Sequence, residues 1–137
     1  MNVLVFAFHA GSVDHERYRS WLHTAYAGDE PVGLSEMALG AFIRVATHPR
    51  IYTRPAQMSD ALGFASMLRN SPKSVIVAPG ERHWGIFERL CLDAGARGNL
   101  VTDAYFAALA IEAGCELITT DRDFARFPGL RWRHPLA

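Results

Sequence analysis

The chain has almost no cysteine, no surplus of charge and no long apolar run, and each absence removes a class of protein. Only Cys91 and Cys115 occur in 137 residues. That is too few for a disulfide scaffold, and both fall inside an expected helix or strand, so unpaired, buried thiols in a reducing compartment are expected. Fourteen basic residues against fourteen acidic ones give zero formal net charge, so no strongly basic face is advertised to nucleic acid, although a local basic rim can still serve. No apolar stretch is long enough to span a bilayer, and the Val3–Phe8 run lacks the basic start and the length of a signal peptide. A cytoplasmic protein without a membrane partner is expected. The six histidines show no zinc-like spacing. Repeats, low-complexity tracts and linkers are also missing.

What remains is an ordinary globular composition, half apolar and one fifth charged, in a chain long enough to bury a core without staples. Expected helices and strands alternate along it. Asn2–Phe8 is a continuous apolar run, as for a strand buried on both faces. A helix follows over about 14–27, with Tyr18, Trp21, Leu22 and Ala25 on one face. Pro31–Leu34 reads as a strand, and Ser35 caps a helix that runs to about Thr47 and stops before Pro49. Ser59 opens another helix, Ser74–Ala78 is a strand, and a Pro79-Gly80 turn leads into a helix bearing Trp84, Phe87, Leu90 and Cys91. The three tryptophans, Trp21, Trp84 and Trp132, sit among apolar neighbours and read as core or interface residues. His9 and His83 read as polar surface or hydrogen-bonded residues rather than catalysts. The pattern predicts a single α/β domain over residues 1–137, with a mainly parallel central sheet of about five strands flanked by helices.

The densest chemistry lies near the end. In Gly98-Asn99-Leu100-Val101-Thr102-Asp103-Ala104, Asn99 or Thr102 can cap a helix whose first turn carries Asp103, where the helix dipole favours negative charge. Gly114 suits its C-terminal stop. Cys115–Ile118 then reads as a buried strand running into Thr119-Thr120-Asp121-Arg122-Asp123-Phe124, and Leu130–Trp132 reads as a last strand. Acids at a helix start and at a strand's carboxyl end lie where open α/β sheets bind ligands. From the residues alone, Asp103 can equally be a dipole-favoured acid, Asp121 a turn residue and Glu36 a first-turn acid beside its capping serine.

Taken together, the Asn2-Val3-Leu4-Val5 start, the Leu34-Ser35-Glu36 step, the Phe42-Ile43-Arg44-Val45-Ala46-Thr47-His48-Pro49-Arg50 segment, the two acidic segments above and the Phe127-Pro128-Gly129-Leu130-Arg131-Trp132 tail resemble the PIN domain. Within that family they are similar to the VapC branch, the toxins of type II toxin–antitoxin modules. The resemblance implies a magnesium-dependent endoribonuclease, with manganese able to substitute. It assigns Asp103, Asp121 and Glu36 as catalytic metal ligands and Asn2, Thr119 and Asp123 as supporting residues. Arg44 and Arg50, with His48 and Arg54, become candidate RNA contacts through phosphate, although solvated surface charge accounts for them equally well. The resemblance further implies a cognate VapB-like antitoxin that covers the acids, often with an arginine, and a homodimer formed through the early helices.

One departure stands out. The family's first strand normally begins Asp-x-Asn, and in this sequence that aspartate would fall immediately before Met1. The expectation is a working protein with a few more residues, and so a first strand cut at its N-terminal edge. The alternative is a chain that has lost a ligand. Three readings follow: an active ribonuclease toxin, a catalytically weakened PIN module that binds antitoxin or RNA without cleaving, and an unrelated α/β domain whose acids are caps and turns.

Overall fold

The computed structural model describes residues 1–137, which divide into two compact units, Met1–Ile76 and Val77–Pro135. The first unit contains α1 (Asn2–Phe8), α2 (His15–Ala27), β1 (Val32–Leu34), α3 (Glu36–Ala46), α4 (Met58–Arg69) and β2 (Ser74–Ile76). The second contains α5 (His83–Ala94), α6 (Asn99–Ala113), β3 (Leu117–Ile118), a 3-10 turn (Arg122–Arg126) and β4 (Trp132–Arg133).

The strands are parallel, as expected, but number four and form two separate pairs. β1 runs beside β2 with Val32 opposite Ser74, and β3 beside β4 with Leu117 opposite Trp132. The missing strand of the expected five is the first: Asn2–Phe8 is a helix. An unbroken apolar run of six residues, Val3–Phe8, does not distinguish a buried strand from a buried helix by periodicity. Here Leu4 and Val5 already donate backbone N–H groups to the Met1 carbonyl, and His9 closes the last turn onto Val5. The helix buries Val3, Leu4, Val5 and Ala7, and Phe8 meets the fully buried Phe42 of α3 edge-on, with ring centroids 5.3 Å apart.

The first core gathers Leu4, Val5, Leu34, Leu39, Phe42, Ala46, Ala61, Ala65 and Leu68. On α2, Tyr18 is buried and Leu22 packs at the margin of this core. Helix α4 starts one residue earlier than expected, with Gln57 as its cap position. The second core sets Leu90 of α5 against Leu100, Ala104, Ala107 and Ala108 of α6, closed by Phe124 and Phe127. The alanines keep the helix surface flat, so its neighbours approach closely. Cys91 and Cys115 are unpaired but only half-buried, and Trp84 is 63 % exposed rather than part of the core. Trp132 packs at the margin of the second core. No helix is long and apolar enough to cross a membrane.

Candidate functional site

The acids of the second unit are positioned by α6 and the turn after β3. Helix α6 begins at Asn99, and neither Asn99 nor Thr102 caps it. Gly98 takes the cap position at φ 56°, ψ −127°, backbone space that side chains avoid. Asp103 is therefore the fifth helical residue rather than part of the first turn, so proximity to the helix end is not what accounts for it. The C-terminal stop is as expected, with Gly114 in the left-handed region at φ 69°.

Asp103 is half-buried beside the fully buried Ala104. Burial pushes its carboxyl above the ordinary aspartate value, and the negative charges of Asp121 and Asp123 push it further. These three side chains therefore share one electrostatic neighbourhood without a compensating cation. Loss of water favours the neutral acid, and neighbouring carboxylates act in the same direction.

Asp121 is held by a ladder of local bonds. Thr119, itself buried, pairs through its backbone N–H with the Arg133 carbonyl at 3.1 Å. Its Oγ1 accepts from the Asp121 N–H at 3.1 Å. Asp121 Oδ1 in turn accepts from the Asp123 N–H at 2.9 Å and caps the 3-10 turn. Phe124 and Phe127, 5.9 Å apart, anchor that turn in the α6 core. The turn-residue reading of Asp121 is thus realised in structure. It occupies one carboxylate oxygen and leaves Oδ2 for other work.

The oxygen donors of Asp103, Asp121, Asp123 and Thr119 suit a hard divalent ion such as magnesium, which accepts carboxylates and keeps several waters. As they stand, no three His, Cys, Asp or Glu side chains are close enough together to hold a metal ion, so they do not form a closed cage. Waters would have to complete the shell.

In the first unit the candidate residues have different surroundings. Glu36 follows Ser35, whose Oγ accepts from the Ala38 N–H and caps α3. Its Oε2 accepts from Arg69 Nε at 2.7 Å, beside a groove of about 250 Å³ between α3 and α4 lined by Leu39, Ile43, Leu62 and Ala65. Asn2 is the half-buried first residue of α1 rather than part of a strand. Arg44 lies in the last turn of α3, and Arg50 and Arg54 are exposed in the loop beyond it.

One structural side chain escaped the sequence reading. Glu112, near the end of α6, accepts from the Gly80 N–H at 2.7 Å and the Arg82 N–H at 2.9 Å. These backbone donors, Gly80 first, hold its carboxyl below the ordinary value. His83 is buried, and its Nε2 meets the Tyr105 carbonyl at 3.0 Å. Both fasten α6, which carries Asp103, to the segment opening α5. The Pro79-Gly80 turn was the only sequence signal for the Glu112 clamp; His9 and His83 are both hydrogen-bonded, as expected.

The PIN domain family model matches residues 2–130. The VapC ribonuclease Mb2897 of Mycobacterium bovis is 43% identical over 136 residues, covering 99% of this chain and 92% of that protein. Ribonuclease VapC37 of Mycobacterium tuberculosis is 37% identical, covering 99% and 94%, and ribonuclease VapC25 of the same species is 33% identical, covering 98% and 95%. Among solved structures, VapBC2 from Rickettsia felis, bound to a DNA fragment from its promoter, superposes with a TM-score of 0.71 at 15% identity. That match covers 97% of this chain and 93% of the other, and it shows a shared fold. With the family model spanning nearly the whole sequence and three such relatives, the chain belongs to the PIN-domain family, on its VapC branch.

Proposed function

We propose that this protein is a metal-dependent endoribonuclease that hydrolyses RNA phosphodiester bonds, the toxin of a type II toxin–antitoxin pair neutralised by a VapB-like antitoxin. The observation that carries the reading is the acid set of the second unit, in which burial first, and then the charges of Asp121 and Asp123, raise the carboxyl of Asp103, in a chain 43% identical to a VapC ribonuclease. Such a set gains from a cation what it lacks in counter-charge.

A bound magnesium or manganese ion supplies Lewis-acid stabilisation of phosphate charge and an activated water. Asp103 and, through Oδ2, Asp121 are the proposed ligands, with Asp123 acting through water. Thr119 holds the Asp121 backbone in place and so fixes where that carboxylate points. Glu36, in the first unit, is engaged by Arg69 and is assigned no ligand role in this set. The proposed partners are RNA, the antitoxin and a second copy of the chain, in a cytoplasmic setting.

One observation favours the second reading, binding without cleavage: the acids do not close into a cage. RNA cleavage with magnesium or manganese, against a chelator and against Asp103→Asn, separates the two. Metal-dependent cleavage lost in the variant supports the nuclease. RNA binding with no cleavage at any metal concentration supports the weakened module.

A further inference from the structure

Although the whole chain is neutral, residues 37–59 contain no aspartate or glutamate and three arginines, Arg44, Arg50 and Arg54. Of the two flanking acids, Glu36 and Asp60, the first is already engaged by Arg69. All three arginines are exposed and none is paired with a carboxylate. The loop that bears Arg50 and Arg54 is nonetheless built. Its ends are tied where the Ala56 N–H donates to the Ala46 carbonyl at 2.9 Å, two residues beyond Arg44 and two beyond Arg54. Within it, the Arg50 N–H donates to His48 Nδ1 at 3.0 Å, and the Ile51 and Tyr52 N–H groups share the His48 carbonyl.

The loop is also fastened to the end of α1. His9 stacks on Tyr52, with ring centroids 3.9 Å apart and planes within 17°. Its Nδ1 accepts from the Gly11 N–H, which leaves Nε2 to donate to the Arg54 carbonyl at 3.3 Å. The backbone on which the arginines stand is thus fixed by hydrogen bonds and a ring stack, while their guanidinium groups are left without partners.

We propose that this loop, with Arg44 at its root, is a phosphate-binding strap for single-stranded RNA, an inference that rests on the ribonuclease reading above. Guanidinium groups without carboxylate partners, on a pre-ordered backbone, bind phosphate with little reorganisation. Half-exposed aromatic rings beside them suit splayed bases, which duplex RNA does not offer. The same feature favours RNA over an acidic peptide, whose carboxylates have no π-face to stack.

The test is binding of a fluorescein-labelled 12-nucleotide single-stranded RNA, followed by anisotropy in chelator across a salt series, with gels checking that the RNA stays intact. If each arginine meets one phosphate, Arg44→Ala/Arg50→Ala/Arg54→Ala should flatten the log–log salt dependence by about 2, roughly 0.7 per contact, and weaken binding about tenfold or more near 0.1 M salt. The triple lysine variant, which keeps the charge, should retain most of the slope. Should the triple alanine variant fail to fold, Arg50→Ala alone must still lower the slope by about 0.7. RNA binding with an unchanged slope overturns the strap and leaves the ribonuclease reading standing, as does equal loss in the lysine and alanine variants. No RNA binding by the unaltered chain overturns both. Loss of an acidic peptide, with RNA binding intact, makes the loop a protein interface and overturns the strap.

Discussion

Glu36 and Asp103 belong to one expected catalytic set, yet the two units treat them differently. In the first unit Glu36 is 61 % exposed and bonded to Arg69 at 2.7 Å, so its charge is solvated and balanced. In the second, Asp103 is half-buried on an apolar helix, with no cation beside it and two other aspartates raising its carboxyl. Uncompensated carboxylates of this kind cluster at ligand sites, as paired ones do at solvated surfaces. The environment therefore ranks the acids where the sequence places them side by side.

The most direct way to break this ranking is Asp103→Asn. If Asp103 is a metal ligand, cleavage should fall by more than about 100-fold, the upper range for losing even an outer partner of a metal site, as read by initial rates at saturating magnesium. Stability should not fall with it. A carboxyl raised in the folded state binds protons that the unfolded chain has released, so its contribution to stability declines as pH rises from the ordinary value through the raised one. The amide removes that penalty. A denaturant series at neutral pH should find the variant at least as stable as the parent, and a clear loss of stability would instead mark Asp103 as structural.

Asp121 should show a smaller, divided effect because it has two duties. Asn can still accept from the Asp123 N–H but carries no charge, so Asp121→Asn should lower the rate about 10- to 100-fold with stability kept. Asp121→Ala should lose the same activity and, in addition, about 1 kcal/mol of cap. Equal activity in the two variants, with stability lost only in alanine, sharpens the separation of charge from cap. Full activity in Asn would remove Asp121 from the site.

Glu112 extends the comparison within a single helix. Its carboxyl is lowered by the Gly80 and Arg82 N–H groups, whereas that of Asp103 is raised, so the two carry opposite linkage. The stability Glu112 contributes is present above its unfolded value near 4.5 and is lost as pH falls through the lowered folded value. In a melting series from pH 6 down to pH 3, Glu112→Gln should start lower than the parent and lose less on acidification. Parallel curves would mean that the clamp does not hold in solution.

Much of this was legible in the chain. Ser35 as a cap and Gly114 as a helix stop follow from local chemistry, and the parallel pairing of the strands from their alternation with helices. Asn2–Phe8 was not legible, because apolar residues on every side remove the periodicity that separates a helix from a strand. The shift of Asp103 out of the first turn was hidden for another reason: Gly98 opens the helix through backbone freedom rather than through a side-chain cap. Partners distant in sequence were equally invisible. The links from Glu36 to Arg69, Glu112 to Gly80 and His83 to Tyr105 join residues 33, 32 and 22 positions apart, and no local pattern encodes them.

Glu36 supplies the smallest expected effect and so the most sensitive check on the comparison. An exposed carboxylate bonded to an exposed guanidinium contributes about 0–1 kcal/mol, and Glu36→Gln should shift stability within that range. If Arg69 keeps it from the metal, the rate should change by no more than about twofold, since a surface pair of this strength has little to transmit. Arg69→Ala then asks the converse question by leaving the carboxylate unpaired. A rate that falls in Glu36→Gln as far as in Asp103→Asn would overturn the ranking. The contrast between the two units would then describe only the resting protein, in which Arg69 occupies the Glu36 carboxylate.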